Sequence, residues 1–171
     1  SSVIDNIKLK GNYNLRGHFV RMVALDLYKS FENEAFDKIK NPKGLDFEEI
    51  QKLLESNFDV YSKFTPSIDE LKSFSDTTYI IKENNKIVAF AICQNTGNTA
   101  ELRFLLVLKE QRGSGYGSLL MKYLSFDKDI NRLLLWVNIE NKIAINLYKK
   151  MGFKEDELLN CVLANENIVT Q

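Results

Sequence analysis

The strongest constraint on the fold is a glycine-rich corner between an apolar segment and a helical pattern. Residues Gln111 to Gly117 read Gln-Arg-Gly-Ser-Gly-Tyr-Gly, which places three glycines within five positions. Glycine destabilises the interior of regular structure, so this run indicates a tight turn whose backbone can approach a ligand closely. Because a helix follows, the free N–H groups and the positive end of the helix dipole favour phosphate binding. A turn without any ligand is the alternative that this motif alone leaves open.

Two common phosphate-binding motifs do not fit this corner. A Walker loop ends in Gly-Lys followed by Ser or Thr, and no lysine follows Gly117. A dinucleotide-binding fingerprint needs a third glycine where Ser118 stands, in an early strand–helix unit, and this corner lies well past the middle of the chain. The corner therefore fits neither motif, and by itself it indicates either a site for a different phosphate compound or a turn without a ligand.

The hydrophobic pattern predicts an α/β fold of layered helices and strands. Apolar residues recur at helical spacing over residues 15–31, 46–55 and 66–74, which predicts three helices. Asp46 is the expected N-cap of the second helix. Period-2 alternation predicts an antiparallel meander of three strands over residues 78–82, 87–94 and 99–108. Beyond the corner we expect a helix at residues 118–126, an apolar strand at 133–137 and a second helix at 143–151. Two short strands are expected from residue 153 onward. A strand–helix–strand crossover added to a meander predicts a mixed, mostly antiparallel sheet.

The composition excludes several functional classes. The chain has 171 residues, 44% of them hydrophobic and 27% charged, which fits one globular domain and not a disordered chain. Its 23 basic residues equal its 23 acidic ones, so it lacks the basic surplus expected of a nucleic-acid binder or a polybasic membrane anchor. Its apolar runs are too short to span a bilayer and no signal-peptide pattern is present, so we expect a cytoplasmic protein. Cys93 and Cys161 are expected to be buried reduced thiols, and one His with two Cys makes no zinc site.

Together with a second block about 20 residues later, the corner resembles the GNAT superfamily of N-acetyltransferases. The first block is Arg-x-x-Gly-x-Gly at residues 112–117, and the second is Asn-x-x-Ala-x-x-Leu-Tyr at residues 141–148, followed by Gly152-Phe153. The resemblance implies a GNAT-like domain over residues 36–171, with helices on both faces of its sheet and a first strand near residues 36–40. Residues 1–35 lie outside it, and we expect them to form a helical extension that packs on the domain.

The resemblance also implies which residues hold the donor, acetyl-CoA. Its pyrophosphate would be bound by backbone N–H groups at the corner. The residues that supply them would be Arg112, Gly113, Ser114, Gly115, Tyr116, Gly117 and Ser118. The pantetheine arm would pair with the preceding strand through Val107, and the N–H of Leu105 or Leu106 would polarise the acetyl carbonyl. Asn141 would hold CoA, cap the following helix, or do both.

Two side chains are candidates for proton transfer in such a reaction. The acceptor, a primary amine, must lose a proton before it attacks the thioester directly in a ternary complex. Glu101, eleven residues before Arg112, is the candidate general base, with a solvated strand residue as the alternative. Tyr148 is the candidate acid for the leaving thiolate, with a core aromatic as the alternative. By alternation Arg103 shares a sheet face with Glu101 and would place an acceptor or neutralise the carboxylate.

The function therefore expected is acetyl transfer to an amine whose identity the sequence does not reveal. No metal, nucleic acid or membrane is expected to take part, and the protein would be a monomer or a homodimer. A non-catalytic acyl-CoA-binding module on the same fold is the alternative, since it would retain the corner without needing either proton-transfer group.

Overall fold

The computed structural model describes residues 13–24, 36–57, 65–126 and 129–165 of the chain. They form seven strands and four α-helices, in the order β1 (Tyr13–Ala24), β2 (Ile39–Lys40), α1 (Asp46–Asn57), α2 (Ile68–Ser73), β3 (Thr78–Glu83), β4 (Lys86–Thr96), β5 (Thr99–Val107), α3 (Tyr116–Ser125), β6 (Arg132–Asn138), α4 (Lys142–Lys150) and β7 (Lys154–Asn165). The chain divides into two compact units: Leu25–Leu133 is the larger, and Ser1–Ala24 with Leu134–Gln171 is the smaller. None of the helices in the described part of the chain is long and apolar enough to cross a membrane.

The larger unit contains the predicted meander. Its strands follow one another in the order β2-β3-β4-β5, and each neighbouring pair is antiparallel. The turn between β3 and β4 places Asn84 and Asn85 at φ 51° and 62°, a conformation that asparagine tolerates better than most residues. The meander was therefore predicted correctly, with each strand ending within a few residues of its expected position.

Helices cover both faces of the larger unit's sheet. On one face, α1 and α2 pack against the strands through a buried cluster that includes Ile50, Leu71, Phe90 and Leu106. Because neighbouring residues of a strand point to opposite faces, Tyr79 lies on the face opposite Ile80 of that cluster. The α3 residues Tyr123 and Leu124 line a cavity there together with Tyr79, Cys93 and Ala100.

The smaller unit contains most of β6 and all of β1 and β7, which lie side by side in that order, with β1 antiparallel to β7. The predicted helix over residues 15–31 is therefore wrong for residues 15–24, which belong to strand β1. Val20, Met22 and Ala24 are buried and alternate with half-buried neighbours, which is the period of a strand. The later part of the predicted helix and the predicted boundary at residue 35 lie outside the described residues.

Three further expectations differ from the structure. The segment expected as a first strand is a single 3₁₀ turn, Phe36–Lys38, followed by the two-residue strand β2. Asp46 is the first residue of α1 and not its cap, because its carboxylate accepts the N–H of Lys43 at 2.9 Å and lies 2.7 Å from the Lys82 ammonium. The two short strands expected at the end of the chain are one twelve-residue strand, β7.

Candidate active site

The glycine corner lies in the larger unit, between the end of β5 and the start of α3. Gly113 and Gly115 have φ angles of 91° and 85°, which residues with a Cβ rarely adopt. A Cβ placed on either glycine would meet no described atom within 4 Å. Glycine is thus needed here for backbone conformation rather than for lack of space, and the corner has open space beside it.

The first turn of α3 supplies the corner's hydrogen-bond donors. Leu119 is the first residue whose N–H closes a helical turn, on the Gly115 carbonyl at 2.9 Å. The N–H groups of Tyr116, Gly117 and Ser118 precede that bond, and a helix provides no acceptor within itself for such groups. They remain candidates for binding a diphosphate, and they lie at the positive end of the helix dipole.

Two other predicted donors are engaged within the turn itself. The N–H of Arg112 donates to the Lys109 carbonyl at 3.3 Å, and the N–H of Ser114 donates to the Gln111 carbonyl at 3.1 Å. The Ser114 hydroxyl donates to that same carbonyl. These bonds shape the corner, so Arg112 and Ser114 would meet a ligand through their side chains or not at all.

Sequence reasoning missed a polar network that fixes Tyr116 in this corner. The Tyr116 hydroxyl donates to the Glu83 carboxylate, and the Lys38 ammonium donates to the same hydroxyl at 3.3 Å and to the carboxylate at 3.4 Å. The hydrogen bond to Tyr116, followed by the contact with Glu83, raises the pKa of Lys38. The hydrogen bond from Tyr116, followed by that from Lys38, lowers the pKa of Glu83. Because Lys38 lies 78 positions before Tyr116, no local motif could have revealed this pairing.

The end of β5 packs against the corner. A Cβ placed on Gly117 would lie 3.5 Å from Cγ2 of Val107, so the first turn of α3 touches the last residue of the strand. Leu106 is buried in the apolar core, while its neighbours Leu105 and Val107 are half-buried on the opposite face. The structure therefore brings together the predicted pantetheine-binding strand and the predicted diphosphate-binding corner.

A bulge in β5 shapes the surroundings of Glu101. Cys93 pairs with Leu102 and Ile92 pairs with Phe104, which leaves Arg103 as an extra residue in the strand. Arg103 donates from Nη1 to Oε1 of Gln94 at 2.8 Å, and Gln94 is the residue opposite Glu101.

These contacts bear on one alternative raised from the sequence. Among the described residues no ion pair to Glu101 is formed, and the contact that Arg103 makes is with an amide. The described side chains therefore do not show Arg103 neutralising Glu101.

Asn141 and Tyr148 lie in the smaller unit, at the start and near the end of α4. Asn141 caps the helix, with its side-chain oxygen accepting the N–H of Ala144 at 3.2 Å, which leaves its amide NH₂ outside that bond. Tyr148 is 9% exposed, and its ring centroid lies 5.7 Å from that of Phe153. Burial raises the pKa of Tyr148, so the phenol is protonated at neutral pH. Among the described residues its hydroxyl makes no hydrogen bond, so the proton is not committed to a structural partner.

The described residues offer no other obvious reactive centre. None of their His, Cys, Asp and Glu side chains form a group of three or more that could hold a metal ion. Cys93 is buried as expected, and burial raises the pKa of its thiol to about 12. Such a thiol stays protonated and unreactive at neutral pH. The side chain of Cys161 lies outside the described residues.

An open glycine corner between a half-buried strand and the start of a helix suits the binding of a phosphate compound. The model of the acetyltransferase (GNAT) family matches residues 47–153, more than half of the chain. The chain therefore belongs to the GNAT family, as the two sequence blocks indicated.

Individual relatives agree with this assignment. The [ribosomal protein bS18]-alanine N-acetyltransferase of Haemophilus influenzae is 38% identical over 78 residues, which cover 44% of this chain and 53% of that protein. An uncharacterized N-acetyltransferase of Methanocaldococcus jannaschii is 32% identical over 99 residues, covering 52% of this chain and 44% of that protein. The chain thus spans about half the length of these curated relatives.

A solved structure confirms the expected fold. A protein from Novosphingobium aromaticivorans, described as an acetyltransferase from the GNAT family, superposes with a TM-score of 0.72 over 89% of this chain and 66% of its own. At 18% sequence identity this likeness shows the fold alone. The α/β class and the mostly antiparallel sheet predicted from the sequence are correct.

Proposed function

We propose that the protein transfers an acetyl group from acetyl-CoA to a primary amine, by direct attack of the amine in a ternary complex. The observation that carries this proposal is the open glycine corner at the start of α3, packed against the last residue of β5 in a chain of the GNAT family. Acetyl-CoA supplies the acetyl group as a thioester. The N–H groups of Gly117 and its neighbours in the first turn hold the diphosphate, and the half-buried end of β5 pairs with the arm.

Glu101 acts as the general base in this proposal. The acceptor is protonated at neutral pH, and a carboxylate without an ion-pair partner among the described residues can take that proton, directly or through a water molecule. Gln94 lies opposite Glu101 in the sheet, and the Arg103 guanidinium donates to the Gln94 amide rather than to the Glu101 carboxylate. Loss of the proton gives the nitrogen the lone pair that forms the new C–N bond.

Tyr148 completes the transfer as the general acid. As the C–N bond forms, the C–S bond breaks, and the electron pair goes to the sulfur of CoA. The phenol donates its proton to that thiolate, whose own pKa is near that of a cysteine thiol, about 8.5. Burial raises the pKa of Tyr148, which keeps the proton on the phenol until the thiolate forms.

We further propose that the acceptor is the α-amino group at the N-terminus of a protein or peptide. The name of the Haemophilus influenzae relative describes transfer to an alanine of ribosomal protein bS18, and that relative is 38% identical to this chain where the two match. Physical chemistry favours the same choice, because an α-amine has a pKa of about 7.7–8.0 and a lysine side chain about 10.4. Near pH 7 a carboxylate base removes the α-ammonium proton more easily.

Release of free CoA thiol tests both levels of the proposal. The protein is incubated with acetyl-CoA and one of three peptides: a free N-terminal alanine without lysine, the same peptide with its N-terminus blocked, and a blocked peptide containing one lysine. We expect thiol release with the first peptide only, with mass spectrometry showing acetylated alanine. Thiol release with the blocked peptide that contains lysine, and none with the free N-terminal alanine, would overturn the acceptor assignment. Acetyl-CoA binding by calorimetry without turnover on any amine would favour a non-catalytic acyl-CoA-binding module.

A further inference from the structure

A cleft of about 390 Å³ lies beside the glycine corner, within the larger unit. Its volume is at the lower end of the range typical of small-molecule sites. The charged groups in its lining are two ammonium groups, from Lys38 before β2 and from Lys122 in the second turn of α3, while Ser114, Tyr116 and Ser118 add hydroxyls. None of the described residues that line the cleft carries a carboxylate. The lining therefore suits an anion with several acceptor oxygens.

Lys38 is held at this cleft by contacts across the chain. Its ammonium donates to the Tyr116 hydroxyl at 3.3 Å and to the Glu83 carboxylate at 3.4 Å, and it lies 5.4 Å from the centre of the Tyr116 ring. Tyr116 is itself part of the glycine corner. A long, mobile side chain normally loses entropy when it binds an anion, and this network has already placed the Lys38 charge next to the corner.

CoA carries phosphate groups at two places in the molecule. Besides its diphosphate it has a phosphate monoester on the ribose, which like the monoester of a phosphorylated side chain carries a charge of about −1.5 to −2 at neutral pH. If the first turn of α3 binds the diphosphate, as proposed above, the monoester requires separate cations. We propose that Lys38 and Lys122 bind this ribose phosphate, so that the cleft distinguishes CoA from its dephosphorylated form. This inference rests on the proposed function of the corner.

The neighbouring lysines provide a matched control. Lys40, Lys43 and Lys82 line a different cleft of about 260 Å³, to which Lys38 also contributes. That cleft contains the buried Asp46 carboxylate, which lies 2.7 Å from the Lys82 ammonium. Lys40 is exposed, belongs to the same short segment as Lys38, and does not line the cleft beside the corner. Substitution of Lys40 thus removes the same charge from the same region without touching the proposed site.

The test compares the binding of CoA and dephospho-CoA to the whole protein by titration calorimetry. The wild type should bind CoA at least about tenfold more tightly than dephospho-CoA, and a tenfold ratio corresponds to about 1.4 kcal/mol of binding free energy. Lys38→Gln and Lys122→Gln should each bring that ratio close to one, chiefly by weakening CoA. Lys40→Gln should leave the ratio unchanged, and Lys38→Arg should retain most of it, because an arginine still offers charged donors.

Four results would overturn the inference. The first three are equal affinity of the wild type for both ligands, an unchanged ratio in both glutamine variants, and a loss in Lys40→Gln as large as in Lys38→Gln. An equal weakening of both ligands by Lys38→Gln would place that lysine on the diphosphate instead and also overturn the assignment. A wild type that binds neither ligand would refute the proposed function of the corner, which is a distinguishable outcome.

Discussion

Replacing Tyr148 with phenylalanine separates a catalytic phenol from a core aromatic. The residue is 9% exposed and packs on Phe153, so its ring contributes to the smaller unit, and truncation to alanine would cost about 3–5 kcal/mol of stability. Phenylalanine keeps that ring. The hydroxyl makes no hydrogen bond among the described residues, so we expect its loss to change the free energy of unfolding by less than about 1 kcal/mol.

The same substitution should have a large effect on turnover. A general acid contributes about 10²- to 10⁴-fold to a rate, equivalent to about 2.7–5.4 kcal/mol of the activation barrier. We therefore expect kcat for thiol release to fall by that factor in Tyr148→Phe, while the acetyl-CoA dissociation constant from calorimetry changes by less than about twofold. Thermal unfolding serves as the control for stability. An unchanged kcat, or a kcat that falls only together with acetyl-CoA affinity and stability, would refute the acid role of Tyr148.

Three further predictions concern the larger unit. Glu101→Gln should lower kcat/KM about 10²- to 10⁴-fold at pH 7. The difference in kcat/KM between wild type and variant should shrink as pH rises, because the acceptor then deprotonates on its own. A difference that is independent of pH would contradict the base role. Gly115→Ala should destabilise the protein by about 1–2 kcal/mol in chemical denaturation because of its φ of 85°, whereas Gly117→Ala should not destabilise it, since its Cβ would sit in ordinary contact with Val107. Native Cys93, in a Cys161→Ser background at pH 8, should react with iodoacetamide about a thousandfold more slowly than the unfolded chain, because burial raises the pKa of the thiol to about 12; similar rates would show that the thiol is accessible and ionised. That raised pKa also means that the thiol stabilises the fold below pH 9 and that the contribution is lost as pH rises toward 12.

Local signals in the sequence predicted local structure well, while contacts between distant segments were not predictable. The glycine corner and the Asn84–Asn85 turn between β3 and β4 are each encoded within a few neighbouring residues. The pairing of Lys38 with Tyr116 and the extra residue at Arg103 depend on which strands meet and in which register. Nothing in a single stretch of sequence specifies that register, so the cations beside the corner became visible only in the fold.

The N-terminal strand shows why one hydrophobic pattern can indicate two structures. Met22 and Val23 both fit a helical stripe, but in β1 they point to opposite faces: Met22 is fully buried and Val23 is half-buried. We therefore expect Met22→Ala to cost about 2–5 kcal/mol in chemical denaturation, the range for a buried methionine, and Val23→Ala to cost under about 1 kcal/mol. A helix with both residues on its buried face would lose stability at both positions. Comparable losses in the two variants would contradict the strand and the pairing of β1 with β7.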